Sequence, residues 1–329
     1  MVTEPAIATS LLTRDFPAVR AVDGLTLEVA MCSVFGFLGP NGSGKTTTIR
    51  LLLGLLSPSE GTARVLGFDV RREAGRIRER CGALLEHDGL YERMTAEDNL
   101  EFAGRAWRMP AAERRARTRQ LLDGLGLWER RHEAVVKWSR GMKQKLGVAR
   151  ALYHRPALVF LDEPTAGLDP IAAAGLRDDL VNLARREGVT VFLTTHNLAE
   201  AERVCDRVGV IRRGRLIDVG RPADLRARAG GSRMVVTGQG FDQAIGQRLL
   251  GQPAVASVET EPGRLTIGLR DGLDTSGIVA FLVHQGVAID EVHKGVADLE
   301  EAFLSLMERE EVADPASDAP AGPAGGGGR

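Results

Sequence analysis

Three groups of residues in this sequence could act on a polyphosphate. The first is the run Gly39-Pro40-Asn41-Gly42-Ser43-Gly44-Lys45-Thr46, followed by Thr47. It fits the spacing G-x-x-x-x-G-K-[ST] of a phosphate-binding loop. The glycines let the backbone curl so that successive N–H groups point at an anion. Lys45 supplies a positive charge for β- and γ-phosphates, and Thr46 a hydroxyl for Mg2+. The second group is Asp162-Glu163, directly after the apolar run Ala157-Leu158-Val159-Phe160-Leu161. One carboxylate, Asp162, can hold Mg2+ through water, and the other, Glu163, can polarise an attacking water. The third is His196, where a neutral imidazole could sense a γ-phosphate.

These groups are far apart in the chain, so strands and helices must gather them. Val34-Phe35-Gly36-Phe37-Leu38 reads as a buried strand entering the loop, and Thr46 to Leu56 as a helix whose N-terminal dipole faces the phosphates. Ala157–Leu161 and Thr190–Thr195 read as central parallel strands. Asp162, Glu163 and His196 follow their C-terminal ends, which is where open α/β sheets bind ligands. Further strands are expected at 7–12, 25–29, 62–66 and 82–85, and a hairpin over 208–219 around Arg213-Gly214. Residues 95–126 read as mostly helical, starting at Thr95-Ala96-Glu97-Asp98, a capping box with Asp in the last place. The arginines there (Arg105, Arg108, Arg114, Arg115, Arg117, Arg119) are interleaved with Glu101 and Glu113 and read as a solvated face.

Composition narrows the class. An apolar content of 43% and a charged content of 26% are ordinary for a globular protein. A net charge of −1 gives no global field toward nucleic acid or an anionic membrane. Cys32, Cys81 and Cys205 are widely spaced, with no C-x-x-C pair, so they are expected to be small buried hydrophobes in a reducing compartment. No secretory signal is visible at Met1 to Ser10, and no stretch is long and apolar enough for a transmembrane helix.

Together, the motifs resemble the nucleotide-binding subunit of an ATP-binding cassette (ABC) transporter over roughly residues 5–225. Trp138-Ser139-Arg140-Gly141-Met142 resembles the family signature, usually L-S-G-G-Q; Ala166-Gly167-Leu168-Asp169 resembles the D-loop, and Thr195-His196 the switch histidine. Phe16 stands where the family places an adenine-stacking aromatic; on its own chemistry it would read as a core residue. Glu86 stands where the family usually has the Q-loop glutamine, and it could still approach Mg2+ or the water. Arg140 and Met142 replace Gly and Gln of the signature, while Ser139 and Gly141 remain.

The resemblance implies an α/β fold: a P-loop NTPase cassette with a RecA-like parallel sheet, an antiparallel β subdomain and a helical signature subdomain. It implies ATP and Mg2+ as ligands, and a head-to-tail dimer in which Ser139 to Met142 and Asp169 approach the nucleotide of the opposite copy. It also implies a separate membrane permease, a peripheral place on the cytoplasmic face of the membrane, and no nucleic-acid partner. The permease is expected beside the Glu86 loop, near Leu90, Tyr91 and Met94. Two other readings are a cassette ATPase with no permease and a module that binds nucleotide without hydrolysing it. The chain has a single cassette without a long coiled-coil insertion, which disfavours the first; intact Lys45, Asp162, Glu163 and His196 disfavour the second. A GTPase would carry an N-K-x-D motif, which is absent.

Beyond a linker at Gly230-Gly231-Ser232 the elements read βαββαβ: strand 234–237, helix 241–250, strands 255–260 and 264–269 around Pro262-Gly263, helix 276–285 and strand 287–292. That is the ferredoxin-like order. His284 and His293 are isolated there and read as structural. Ala297 to Leu306 reads as a helix resembling an L-E-x-x-F-L element of drug-export ATPases of the daunorubicin-resistance type, which favours an exporter. The expected division is therefore a cassette at 1–228, a small α+β domain at 229–310 and a disordered Ala/Pro/Gly-rich tail at 311–329.

Overall fold

The computed structural model describes residues 4–86, 88–230, 232–270, 276–296 and Phe303. The expected helix at 297–306 and tail at 311–329 lie outside these residues, apart from Phe303, as does Gly231 of the expected linker. The chain forms two compact units, Met1–Pro222 and a second beginning at Ala223.

The first unit opens with a hairpin, β1 (Ile7–Phe16) and β2 (Val19–Val29), followed by β3 (Val34–Leu38) and helix α1 (Lys45–Leu52). Strands β4 (Glu60–Val65) and β5 (Phe68–Asp69), helix α2 (Ala74–Arg80) and strand β6 (Cys81–Leu84) come next. Three helices follow: α3 (Ala96–Ala106), α4 (Ala111–Gly124) and α5 (Arg140–Leu152). The unit continues with β7 (Leu158–Asp162), α6 (Pro170–Glu187), β8 (Thr190–Thr195) and α7 (Leu198–Val204), then β9 (Arg207–Arg212) and β10 (Arg215–Gly220). Strands β2-β1-β4-β5 make an antiparallel sheet. Strands β10-β9-β3-β8-β7-β6 make a second sheet, parallel except for β10 at its edge.

The strands β3, β8 and β7 are adjacent and fully buried. Their register puts Phe35, Phe192 and Phe160 in one line across the sheet, with neighbouring ring centroids 5.5 and 5.6 Å apart. Ile49 and Leu52 of α1 belong to the same core cluster, so an aromatic row supports the helix behind the phosphate loop. Because the three strands are parallel, their C-terminal ends lie on one edge of the sheet.

The helices carry the caps their sequences call for. The Thr95 hydroxyl accepts the Asp98 N–H at 3.1 Å and shares its own proton with the Asp98 carboxylate. One arginine on α4 departs from the solvated face expected of it. Arg117 is fully buried, bonded to Glu187 at 2.5 and 2.7 Å and to the carbonyls of Leu152 and Tyr153. The cysteine expectation also fails at one place. Cys81 and Cys205 are buried, but Cys32 is exposed and its thiol faces the Gly188 carbonyl at 3.3 Å.

His154, just after α5, donates from Nε2 to the Cys81 carbonyl at 3.2 Å, and burial pushes its pKa down to about 4. The unfolded chain therefore binds a proton at His154 between pH 6.5 and 4 that the folded chain refuses, so this contribution is present above pH 6.5 and lost as pH falls toward 4. Urea midpoints measured across that window should fall with pH in the wild type and fall less steeply in His154→Gln. Equal slopes would refute the assignment.

Helix α8 (Pro222–Gly230) begins at the boundary between units. The second unit then runs β11 (Ser232–Gln239), α9 (Gln243–Leu250), β12 (Val255–Glu261), β13 (Arg264–Leu269), α10 (Ser276–His284) and β14 (Ala288–Val296). Its sheet order is β12-β13-β11-β14, antiparallel throughout. In this unit's own strand count that is 2-3-1-4, the split βαβ arrangement expected from the order of elements. It has its own core, with Val236, Leu249, Leu265, Ile267 and Leu282 buried.

Candidate functional site: a phosphate loop over three strand ends

The loop from Gly39 to Thr46 leaves β3 and enters α1 with Gly44 at φ 106°. A side chain at Gly44 would meet the Ala21 carbonyl oxygen at 2.3 Å, and one at Gly39 would meet Ser43 Oγ at 2.5 Å, so both positions need glycine for sterics, and Gly44 for conformation as well. The Ser43 hydroxyl is buried and has no hydrogen-bond partner. An orphaned hydroxyl inside a loop of this shape suits a phosphate oxygen.

Lys45 is 5% exposed. Its ammonium donates to the carbonyls of Gly39 and Pro40 at 2.8 and 3.1 Å and lies 3.1 Å from Glu163 Oε1. The other Glu163 oxygen is 3.0 Å from His196 Nδ1, so a neutral imidazole there carries its proton on Nδ1 and donates. Glu163 has φ 49°, uncommon for a residue with a side chain, and its N–H bonds to Thr194 Oγ1 at 3.0 Å. Thr46 donates its hydroxyl to Asp162 Oδ2 at 2.7 Å, and Thr194 donates to Asp162 Oδ1 at 2.6 Å. The ends of β3, β7 and β8 thus converge on one cluster: Lys45, Thr46, Asp162, Glu163 and His196. Thr194 was not singled out from the sequence, yet it orients both carboxylate positions. A polar residue near the end of an otherwise apolar strand was the available signal.

The other expected residues are placed as follows. Ser139 caps α5, its hydroxyl accepting the Met142 N–H at 3.3 Å, and Gly141 follows in the first turn. Met142 Sδ accepts from Arg130. The Arg140 guanidinium lies against Gly167, where an added Cβ would come within 2.3 Å of it. Asp169 caps α6 by accepting the N–H groups of Ile171 and Ala172. The helix N-termini that carry Ser139 and Asp169 are therefore both built to end in capped, anion-tolerant turns. Phe16 is half-buried, with the Arg14 guanidinium 4.7 Å from its ring centroid. Glu86 is exposed and lies 3.7 Å from Arg50; no described contact joins it to Thr46 or Asp162. Tyr91 is exposed, and Leu90 and Met94 are half-buried.

Residues 22–166 match the family described as ABC transporter. The daunorubicin resistance ATP-binding protein DrrA3 of Streptomyces coeruleorubidus is 39% identical over 289 residues, 87% of this chain and 91% of that one. The daunorubicin/doxorubicin resistance ATP-binding protein DrrA of Streptomyces peucetius is 36% identical over 93% of this chain and 94% of its own length. Among solved structures, cbiO1 from Clostridium perfringens, part of the ABC transporter complex cbiONQ, superposes with a TM-score of 0.64 at 26% identity, over 68% of this chain and 92% of that one. With a phosphate loop, paired carboxylates and a histidine gathered at three parallel strand ends, and with relatives matching nearly its full length, this chain belongs to the ABC transporter family as a nucleotide-binding ATPase subunit.

Proposed function

We propose that this chain powers export of a small molecule, drug-like or lipid-like, through a separate membrane permease. The observation that carries its chemistry is the continuous contact Lys45–Glu163–His196 beside Thr46–Asp162. Phosphate oxygens of ATP would take over the Lys45 ammonium from the carbonyls of Gly39 and Pro40, with the loop N–H groups of residues 41–47 and the Ser43 hydroxyl donating beside it. Freed from Lys45, Glu163 would orient a water toward the γ-phosphate, held on its other side by His196. Phe16 would stack on the adenine by turning its face from Arg14.

The hydroxyl and carboxylate oxygens of Thr46 and Asp162 are a donor set that suits Mg2+. When bound there, Mg2+ would neutralise charge on the β- and γ-phosphates. Glu86, proposed from the resemblance as a further ligand, stands outside this pair and would have to swing in from Arg50.

Two copies would pair head to tail, with the turn from Ser139 to Met142 and the Asp169 cap of one copy facing the nucleotide of the other. Arg140 would add a cation to that face. Because the γ-phosphate is the group touched from both sides, its loss would reopen the pair. No helix among the described residues is long and apolar enough to cross a membrane, so transport at the cytoplasmic face would need the permease. The daunorubicin-resistance relatives support the choice of an exporter.

The test is a titration with a fluorescent ATP analogue, with and without Mg2+. Lys45→Ala removes a buried cation from a charge-assisted contact, which costs about 2–5 kcal/mol, or roughly thirtyfold or more in affinity. Unchanged affinity in that variant would refute the site. Loss of membrane association with any permease would leave the ATPase but refute the exporter.

A further inference from the structure

Glu163 and His196 have a second side. They line a cavity of about 390 Å3, many times the ~15 Å3 that a single water needs. Arg177 of α6 and Glu200 of α7 line it as well. Ala173, Ala174 and Ala199 belong to the same lining, and their small side chains keep it open. Arg203, exposed on α7, brings a second cation to it.

Arg177 is the residue here that the chemistry of the strand ends leaves without a task. Its side chain is nine-tenths buried, and its Nε is shut off from solvent and makes no hydrogen bond. The nearest described carboxylates stand too far off to accept one. Asp178 Oδ1 is 3.6 Å from Nε, and Glu200 Oε1 is 3.8 Å from Nη1. The other Glu200 oxygen, Oε2, accepts the Thr165 hydroxyl at 2.6 Å. Arg117 shows the contrast, since that buried guanidinium is bonded to a carboxylate and two carbonyls. A guanidinium has five N–H donors and keeps its charge, so holding one in this place without hydrogen bonds costs free energy.

The missing partner must be an anion with several acceptor oxygens, and phosphate fits a guanidinium fork. The nearby Glu200 carboxylate favours a phosphate that still carries protons. Hydrolysis makes such an ion next door. The water oxygen bonds to the γ-phosphorus, the bond to the ADP oxygen breaks, and the water proton passes by way of Glu163 to the new phosphate. The product, H2PO4−, can accept from Arg177 and donate an O–H to Glu200 Oε1.

We infer that this cavity is a way station for the phosphate product, which leaves past the Glu163–His196 pair and is drawn off by Arg177. The inference rests on the hydrolysis assigned to this chain and needs no permease. Arg177 takes no part in breaking the bond; it gives the product somewhere to go.

Two measurements on the full chain test this. The first adds inorganic phosphate to the protein loaded with Mg2+ and ADP and follows the phosphorus NMR line of the free ion. The wild type should broaden that line saturably. Arg177→Gln should cut the broadening about fivefold or more. So should Ala174→Leu, which fills the cavity and spares the arginine. No broadening in the wild type, or broadening that survives either variant, overturns the station. The second compares ATP cleavage by rapid quench with phosphate appearance on a fluorescent phosphate-binding reporter in a single turnover. In both variants cleavage should stay within about twofold of wild type while phosphate appears about fivefold or more later. Phosphate appearing in step with cleavage overturns the exit route, and cleavage that falls equally would make Arg177 a support for the Glu163–His196 pair instead. A wild type that binds phosphate without cleaving ATP would sink the hydrolysis on which the inference rests, and the exit role with it.

Discussion

Glu163→Gln should lower Mg2+-dependent ATP hydrolysis by about 10²- to 10⁴-fold, the range general-base catalysis supplies, while leaving ATP affinity within a few-fold of wild type. The side chain keeps its size and can still accept the His196 proton at Nδ1, which the wild-type carboxylate accepts at 3.0 Å. What it loses is basicity, and with it the ability to draw a proton from water. Lys45 loses a charged neighbour 3.1 Å away, which frees it for phosphate and should favour binding if anything. With hydrolysis blocked and binding intact, the pair of chains should stay closed on ATP, so size-exclusion chromatography in ATP should shift from monomer to dimer. Hydrolysis at half the wild-type rate would remove Glu163 from the role of base. Lost ATP binding would show that Glu163 shapes the loop instead. The backbone at φ 49° is fixed by the N–H bond to Thr194, so the Gln side chain should start from the same place.

How far the sequence disclosed this site differs from residue to residue. The phosphate loop is a local device: its glycines, lysine and threonine are consecutive, and the strand and helix around it have clear patterns. The carboxylates and His196 were legible because each ends an apolar run of strand length. The loop helix stops earlier than its apolar pattern suggests, at Leu52 rather than Leu56, because Gly54 turns to φ 63° and Leu55 and Leu56 both bond back to Arg50. The first hairpin is longer than its apolar residues indicate, since the half-buried Arg14 and Asp15 and the exposed Arg20 carry the pairing to the Pro17-Ala18 turn. The second unit was legible in outline because its short elements alternate cleanly and Pro262-Gly263 marks a hairpin. Thr194 was not, because its bonds to the Glu163 N–H and to Asp162 run between neighbouring strands, and no spacing in one dimension announces them. Arg117 was misread for a related reason: on a helix rich in arginine, composition cannot say which one turns inward.

That inward arginine sets the largest expected effect on stability. Arg117 bonds at one end to the carbonyls of Leu152 and Tyr153, which close α5, and at the other to Glu187, the last residue of α6. A cation where two helices end is favoured by both dipoles, and it ties together the helices whose opposite ends are capped by Ser139 and Asp169. Lys145 and Asp179, 2.6 Å apart, make a second tie between the same helices closer to their middle. Arg117→Met removes the cation and leaves the Glu187 carboxylate buried without its charge partner, a change that typically costs about 3–5 kcal/mol. Denaturant unfolding of the first unit should show that loss. Adding Glu187→Leu should recover part of it, because the stranded charge is gone, but not all, because two helix carbonyls still lack a donor. The pair should also show whether the tie serves catalysis. If the α5–α6 clamp aligns the Ser139 and Asp169 turns, the double variant should hydrolyse ATP more slowly than wild type at temperatures where both are folded. A single-variant loss below about 1 kcal/mol, the worth of an exposed ion pair, would mean that Arg117 is solvated and the clamp does not exist.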